Sequence, residues 1–503
     1  MQIVRAWLGF VFMCVGMFMA ILDIQVVASS LTNIQGELHI AADRISWIQT
    51  AYLMAEVVAI PLTGWLTRAM SLRWMFVFAT GGFTLASLAC AFSPNAEVLI
   101  AIRVFQGFCG GMLIPAVFTS AFTELPESHR VVATAFAGMF AMVAPTVGPW
   151  VGGWLTETYS WRWIFLINVA PGLAVTLLVA LLLPSENAEW KLLRRIDYRN
   201  IALAAVALGT LELLLKEGPG HHWQGAYILA LSAIAVLAAL GGIYRALYRP
   251  EPFVNLRRFK SRAFTIGCIL SFVLGTGLYG STYILAIFLG VVRDHTPLEI
   301  GTIIMVSGAV QMVAAPVSAF LETRVDTRKL LFVGYGLFAA GMLSNGFETY
   351  ETDFWGQFWP QVMRGAAVML CILPSTRLAL DEWSREDLPD ASGMFNLMRN
   401  LGGAIGIAVI DTILEQRTAA HAIAIGKRLQ AGSPDAAREV GLPVQFFHNL
   451  PMPPPDLFTR LSEEPLIKRA AMVESFNEAW LLLGALFVLS LLILPLVRRQ
   501  VAR

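Results

Sequence analysis

Three charged residues stand inside long apolar stretches of the chain. Asp23 lies in "AILDIQVVASSL", Glu56 in "AYLMAEVVAIP" and Arg103 in "AIRVFQGFCGG". A charge surrounded by hydrocarbon is costly, so each such residue is a candidate for function. An aspartate facing an arginine is neutral as a pair, and protonating the carboxylate removes the attraction. That would link a proton to the position of two helices. The alternative is a permanent structural salt bridge between the same residues. Gln106 stands at i+3 from Arg103 and faces the same side of a helix. Glu56 has no partner within its own stretch, which suits proton carriage, attraction of a cationic compound, or a structural hydrogen bond. With Gln25 and Gln106 it is a candidate lining of a substrate cavity. Glu212 and Asp411 fall near the outer ends of their stretches and are expected to reach interfacial water. Arg364 and Arg399 are expected to anchor carbonyls or carboxylates between helices. All seven histidines fall between the apolar stretches, so proton carriage is assigned to carboxylates. The His221–His222 pair is too short for a metal site, and no metal is expected.

The elements that must position these groups follow from composition. Of 503 residues, 57% are hydrophobic and 14% charged, against roughly 25% charged in soluble domains. The apolar residues come in blocks of about 20, the length that crosses a bilayer as a helix. Fourteen spans are predicted, at about 7–31, 46–67, 74–92, 97–119, 132–155, 161–183, 199–215, 225–248, 263–290, 299–321, 328–347, 355–379, 393–415 and 476–497. The first is too long for the core of a signal peptide. Asp23 is about seven residues from the outer end of span one and Arg103 about six from that of span four, so their depths match within a few Å. Glu56 falls about ten residues into span two, near the midplane.

Lys and Arg set the orientation. With the N-terminus inside, 22 lie in inner loops and termini, among them the cluster "RPEPFVNLRRFKSR" (249–262), and four in short outer loops: Arg44, Arg162, Lys216 and Arg293. This predicts N-in and C-in. An even count with both ends inside allows two related halves: a six-helix bundle over 1–184, two additional spans over 185–262, and a second six-helix bundle over 263–503. "RVFQGFCGGMLIP" (103–115) and "RGAAVMLCILP" (364–374) echo one another across spans four and twelve. Residues 416–475 read as a long outer loop. "LPMPPPDLF" (450–458) cannot continue a helix, and the amphipathic flanks are expected on the membrane surface or against a partner. The five cysteines lie in apolar blocks and read as free buried thiols. A net charge of +1 gives no attraction to nucleic acid.

Span five ends in "TVGPWVGGWL" (146–155). Small residues let helices approach in lipid, and Gly148 and Gly152 have the small-xxx-small spacing. Pro145 and Pro149 add a bend near the outer end. "GPWVGGWL" resembles the antiporter signature G-P-x-x-G-G of fifth helices in the major facilitator superfamily. The resemblance marks Gly148, Pro149, Gly152 and Gly153 and places them at the interface of the two halves. "LDIQVVASSL" (22–31) is similar to the first-helix signature of the fourteen-span drug:proton antiporters, with Gln25 in place of the usual threonine. "IRVFQGFCGGMLIP" (102–115) resembles their fourth-helix signature. "PLTGWLTRAMSLRWMF" (61–76) resembles the loop between helices two and three. Thr67 and Arg68 stand where an aspartate is usual, which predicts a weakened ion network at the inner gate. "GMFNLMRNLGGAIGIA" (393–408) resembles the thirteenth helix of Gram-negative multidrug pumps that work with a periplasmic adaptor.

The resemblance implies a major facilitator fold in the inner membrane. It implies proton-coupled efflux of amphipathic drugs, with a periplasmic adaptor and an outer-membrane channel as partners. No phosphate-binding G-x-x-x-x-G-K-[ST] loop is present, so the proton gradient rather than a cofactor is expected to drive it. Export of one metabolite, lipid or siderophore would use the same charged pair. A membrane enzyme or scaffold is the remote alternative, and neither H-E-x-x-H nor G-x-S-x-G occurs.

Overall fold

In a computed structural model, the described residues are 2–40, 44–184, 197–248, 255–449 and 457–497. They are helical throughout, with no strand among them. Fourteen long helices match the fourteen expected spans: α1 (Gln2–Leu38), α2 (Trp47–Met70), α3 (Leu72–Ala91), α4 (Ala96–Thr123), α5 (Arg130–Thr158), α6 (Val169–Leu182), α7 (Tyr198–Glu217), α8 (Ala226–Tyr248), α9 (Arg262–Ile287), α10 (Pro297–Glu322), α11 (Thr327–Asn345), α12 (Phe354–Leu380), α13 (Leu388–Gln430) and α14 (Leu457–Ser490). Thirteen of the helical segments are apolar enough to cross a bilayer by composition. The exception, α11, carries Arg328 and Lys329 in its first turn.

Side-chain caps fix several helix starts. Asn95 accepts from Val98 N at 2.9 Å at the head of α4. Thr296 and Glu299 form a capping box on α10. Span six departs from the sequence reading: a single turn, Trp163–Leu166, is followed by a break at Ile167 and Asn168 before α6 begins. Asn168, at that break, belongs to the site described below.

The pairings repeat along the chain. α1 packs on α5 and α9 on α13; α2 packs on α4 and α10 on α12; α3 packs on α6 and α11 on α14. α7 and α8 pack on each other, and α7 also touches α2 and α13. One apolar core gathers Phe10, Phe76, Phe83, Phe118 and Phe122. Another gathers Tyr335, Phe338, Trp480 and Phe487, with the Phe338 and Phe487 rings stacked at 4.4 Å. Leu229, Val236, Leu237 and Leu240 on α8 are exposed, as a lipid-facing surface requires.

The outer segment 416–475 is not mainly a loop. α13 runs for 43 residues, far beyond the roughly 20 that span a bilayer, and α14 begins at Leu457. The expected surface-lying flanks are instead continuations of spans thirteen and fourteen, standing out of the membrane as a hairpin. Charges at helical spacing hold it together. Arg417 pairs with Glu478 at 2.7 Å, His421 with Glu474 at 2.6 Å, and Arg428 with Glu439 at 2.9 Å. His421 is therefore helical rather than in a loop. Beneath these pairs Ile425, Leu429, Ala437, Val440 and Ala471 form a small core with the short helix Pro434–Val440. Burial, together with a hydrogen bond and repulsion from Glu474, pushes the Glu439 carboxyl up to about 7. Most of the proline run, residues 450–456, lies outside the described residues, as do 249–254 of the basic cluster.

Candidate functional site

α1, α3 and α4, together with the break before α6, bring polar groups to one point inside apolar surroundings. Asp23 and Arg103 form an ion pair with no exposure of either side chain. The second carboxylate oxygen of Asp23 accepts from Asn168 Nδ2 at 2.9 Å and from Gln106 Nε2 at 3.1 Å. Gln106 also donates to Ser87 Oγ at 2.7 Å and accepts from Arg103 Nη1 at 2.7 Å. Arg103 Nε donates to the carbonyl of Ile48 on α2 at 3.2 Å, and its guanidinium lies over the Tyr52 ring at 4.3 Å. α2, α4 and the segment before α6 therefore each touch one carboxylate–guanidinium pair, and α3 braces it through Ser87. Asn168, Ser87 and Tyr52 escaped the sequence reading. Asn168 had a signal, as an amide within the apolar run "WIFLINVAPG".

Glu56 on α2 is buried, and among the described residues it forms no ion pair. α4 lies directly against it: a Cβ built on Gly111 would be 2.9 Å from Glu56 Cα. Its acidic neighbour is Glu212, half-buried on α7 and close enough to act on it electrostatically. α7 packs on α2, which brings the partly exposed Glu212 within electrostatic reach of Glu56. Asp411 is also engaged, accepting from Tyr283 OH at 2.6 Å. Gln25 lies apart from the Asp23 network, half-buried against α5.

The glycines of span five do meet another helix closely. A Cβ on Gly148 would strike the Gln25 side chain, and one on Gly152 would lie 2.8 Å from Val26 Cα. Both therefore face α1, within one bundle, while α5, which carries them, also packs on α10 of the other half. Thr146, before them, and Trp150, between them, face the other half: a Cβ built on Gly308 of α10 would meet the Thr146 side chain, and one on Gly301 would lie 3.8 Å from Trp150. Gly153 has open space around it. Pro149 lies within the continuous helix α5.

Among the described residues Arg364 and Arg399 meet neither a backbone carbonyl nor a carboxylate of another helix, against expectation. Each bonds an amide one turn back on its own helix, Gln361 for Arg364 at 3.2 Å and Asn396 for Arg399. Each also rests on a ring: Trp480 at 4.6 Å and Phe118 at 5.3 Å respectively.

The inner ends of the bundles are laced together, which corrects the expected weakening of the inner gate. Arg68 Nη1 lies 3.1 Å from Asp390 Oδ2 on α13. Arg258 lies 3.1 Å from the same oxygen and 2.8 Å from Asp387. Arg130 pairs with Asp381 at 3.2 Å, and Arg385 reaches the Thr123 carbonyl. The missing aspartate after Leu66 is offset because the carboxylate comes from α13, and Arg68 supplies the opposite charge. Gly64 permits the approach, since a Cβ there would lie 2.6 Å from Asp390 Cα.

Comparison with known proteins follows the same lines. The family model of the Major Facilitator Superfamily matches residues 13–407. The colistin resistance protein EmrB of Acinetobacter baumannii is 38% identical over 84% of this chain and 83% of its own length. The multidrug export protein EmrB of Escherichia coli is 30% identical over 83% and 82%. Among solved structures, the proton:xylose symporter XylE superposes with a TM-score of 0.62 at 11% identity, covering 100% of this chain and 98% of the other.

Proposed function

The chain belongs to the major facilitator superfamily, and on that premise we propose that it exports amphipathic compounds in exchange for protons by alternating access to one central site. It is a multi-pass protein of the bacterial inner membrane. The observation that carries the proposal is the fully buried Asp23–Arg103 pair with Gln106, Asn168 and Ser87 around it. A proton reaches Asp23 only if this cage loosens, and loosening it moves α1 against α4. Proton loading and helix movement are then one event. Glu56 supplies an uncompensated carboxylate near the midplane, suited to a cationic or protonatable compound. Relatives named for multidrug export and colistin resistance support export over uptake.

Glu56→Gln keeps the shape and removes the charge. Export of cationic compounds is expected to fall about tenfold or more, an energy of roughly 1.4 kcal/mol, while neutral compounds are spared. Drug-stimulated proton release from the purified protein, measured for both classes of compound, tests this. Equal loss for the two classes would remove Glu56 from the substrate site.

The same reading gives the protein a periplasmic adaptor and an outer-membrane channel as partners. The hairpin of α13 and α14 supports it, because a rigid helical pair outside the bilayer offers a partner a defined surface. Removing residues 420–470 is expected to abolish co-purification with the adaptor while leaving the protein in the membrane. Undiminished co-purification would place the contact elsewhere.

A further inference from the structure

The second bundle contains a buried cation that, among the described residues, has no carboxylate in direct contact. Arg364 is 3% exposed, and its Nε and Nη1 find no hydrogen-bond partner among the described residues. Its one side-chain acceptor is Gln361 Oε1, a neutral amide. No described carboxylate lies within ion-pair distance. Glu348, which does act on it electrostatically, is held instead by Gln357 Nε2 at 2.6 Å. The guanidinium lines a cavity of about 30 Å³ with Gln311, Gln361, Ser307, Ser281 and Thr282. Gln311 is also buried, and its Oε1 is unpartnered, so its amide is free to turn its NH₂ toward the cavity. The rest of the wall is apolar: Leu278, Leu285, Ile304, Phe338 and Val368.

The first bundle shows how such an arginine is normally settled. Arg103 on α4 has Asp23 from α1. α12 repeats the α4 pattern with Arg364, but α9, in the place of α1, offers the hydroxyls of Ser281 and Thr282 at the cavity. An unpaired charge away from water is expensive, and neutral water would satisfy donors without supplying charge. A volume of this size holds about two waters, or one halide or carboxylate group. We propose that this cavity is a binding site for a small monoanionic group, a halide or the carboxylate end of an apolar molecule, held by Arg364 with Gln311.

The test uses the full chain in lipid nanodiscs at fixed ionic strength, with sodium bromide and sodium decanoate as separate probes and sodium sulfate as the control. Either monoanion is expected to raise the unfolding midpoint saturably, while sulfate gives only the non-saturating rise of an excluded salt. Bromide alone acting identifies an inorganic ion; decanoate acting and displacing bromide identifies a carboxylate terminus. Arg364→Gln is expected to weaken the response about tenfold or more, with Arg364→Lys retaining part of it. Should Arg364→Gln fail to fold, Gln311→Leu must weaken the same response. No saturable response to either monoanion, or one that survives the substitutions unchanged, overturns the proposal.

Discussion

Asp23→Asn is expected to end proton-coupled export and to destabilise the protein by about 3–5 kcal/mol, the usual result of stripping one partner from a buried ion pair. Three donors, from Arg103, Gln106 and Asn168, converge on the carboxylate. An asparagine there offers one acceptor and brings its own NH₂ into a ring of donors. Arg103 keeps Gln106, the Ile48 carbonyl and the Tyr52 ring, but loses its counter-charge. Loss of transport in this variant alone would therefore not separate coupling from folding. The double substitution Asp23→Asn with Arg103→Gln does separate them. Removing both charges is often close to neutral for stability, so the unfolding midpoint should return toward wild type. If the pair carries the coupling, drug-stimulated proton release stays absent in the double variant. Recovery of both midpoint and proton release would reduce the pair to a structural bridge and end the coupling assignment.

How much of this could be read beforehand depends on what each feature is made of. Spans were legible because lipid selects for blocks of apolar residues, and the pattern is local. Asp23 and Arg103 were legible as a pair because their depths could be counted from the ends of their helices. Their cage was not, since Asn168 meets Asp23 across 145 residues of sequence, a contact that no local pattern displays. Gly148 and Gly152 announced a close helix contact, yet only packing decides that the contact is with α1 rather than with the other half. The hairpin beyond the bilayer was misread as loop because its residues are polar. Its two helices meet through a small apolar core and pairs such as Arg417 with Glu478, contacts between segments that single-segment patterns do not display. Arg364 was visible as a charge in a span, but that no described carboxylate touches it is a property of the second bundle's packing.

The inner gate gives the second large expectation. Asp390 is nearly fully buried and takes Arg68 from α2 and Arg258 from the segment before α9 onto one oxygen. α2 and α13 meet around it with Gly64 at the contact. If the protein alternates, this is a junction that must part when the site opens inward, so its energy belongs to the inner-closed state alone. Asp390→Asn removes the charge both arginines share; Arg258 retains Asp387, which is half exposed, and Arg68 retains no described carboxylate partner. A loss of about 3 kcal/mol confined to one state shifts a two-state equilibrium by more than a hundredfold. The expected result is a protein resting with its inner side open. Spin labels on Glu127→Cys and Glu386→Cys, exposed positions on the inner ends of the two bundles, read this directly. Their distance distribution should move to longer values in Asp390→Asn without added substrate. An unchanged distribution in a folded variant would mean that the Arg68–Asp390–Arg258 cluster braces the inner face without gating it, and that the barrier to opening lies in the apolar contact of α5 with α10.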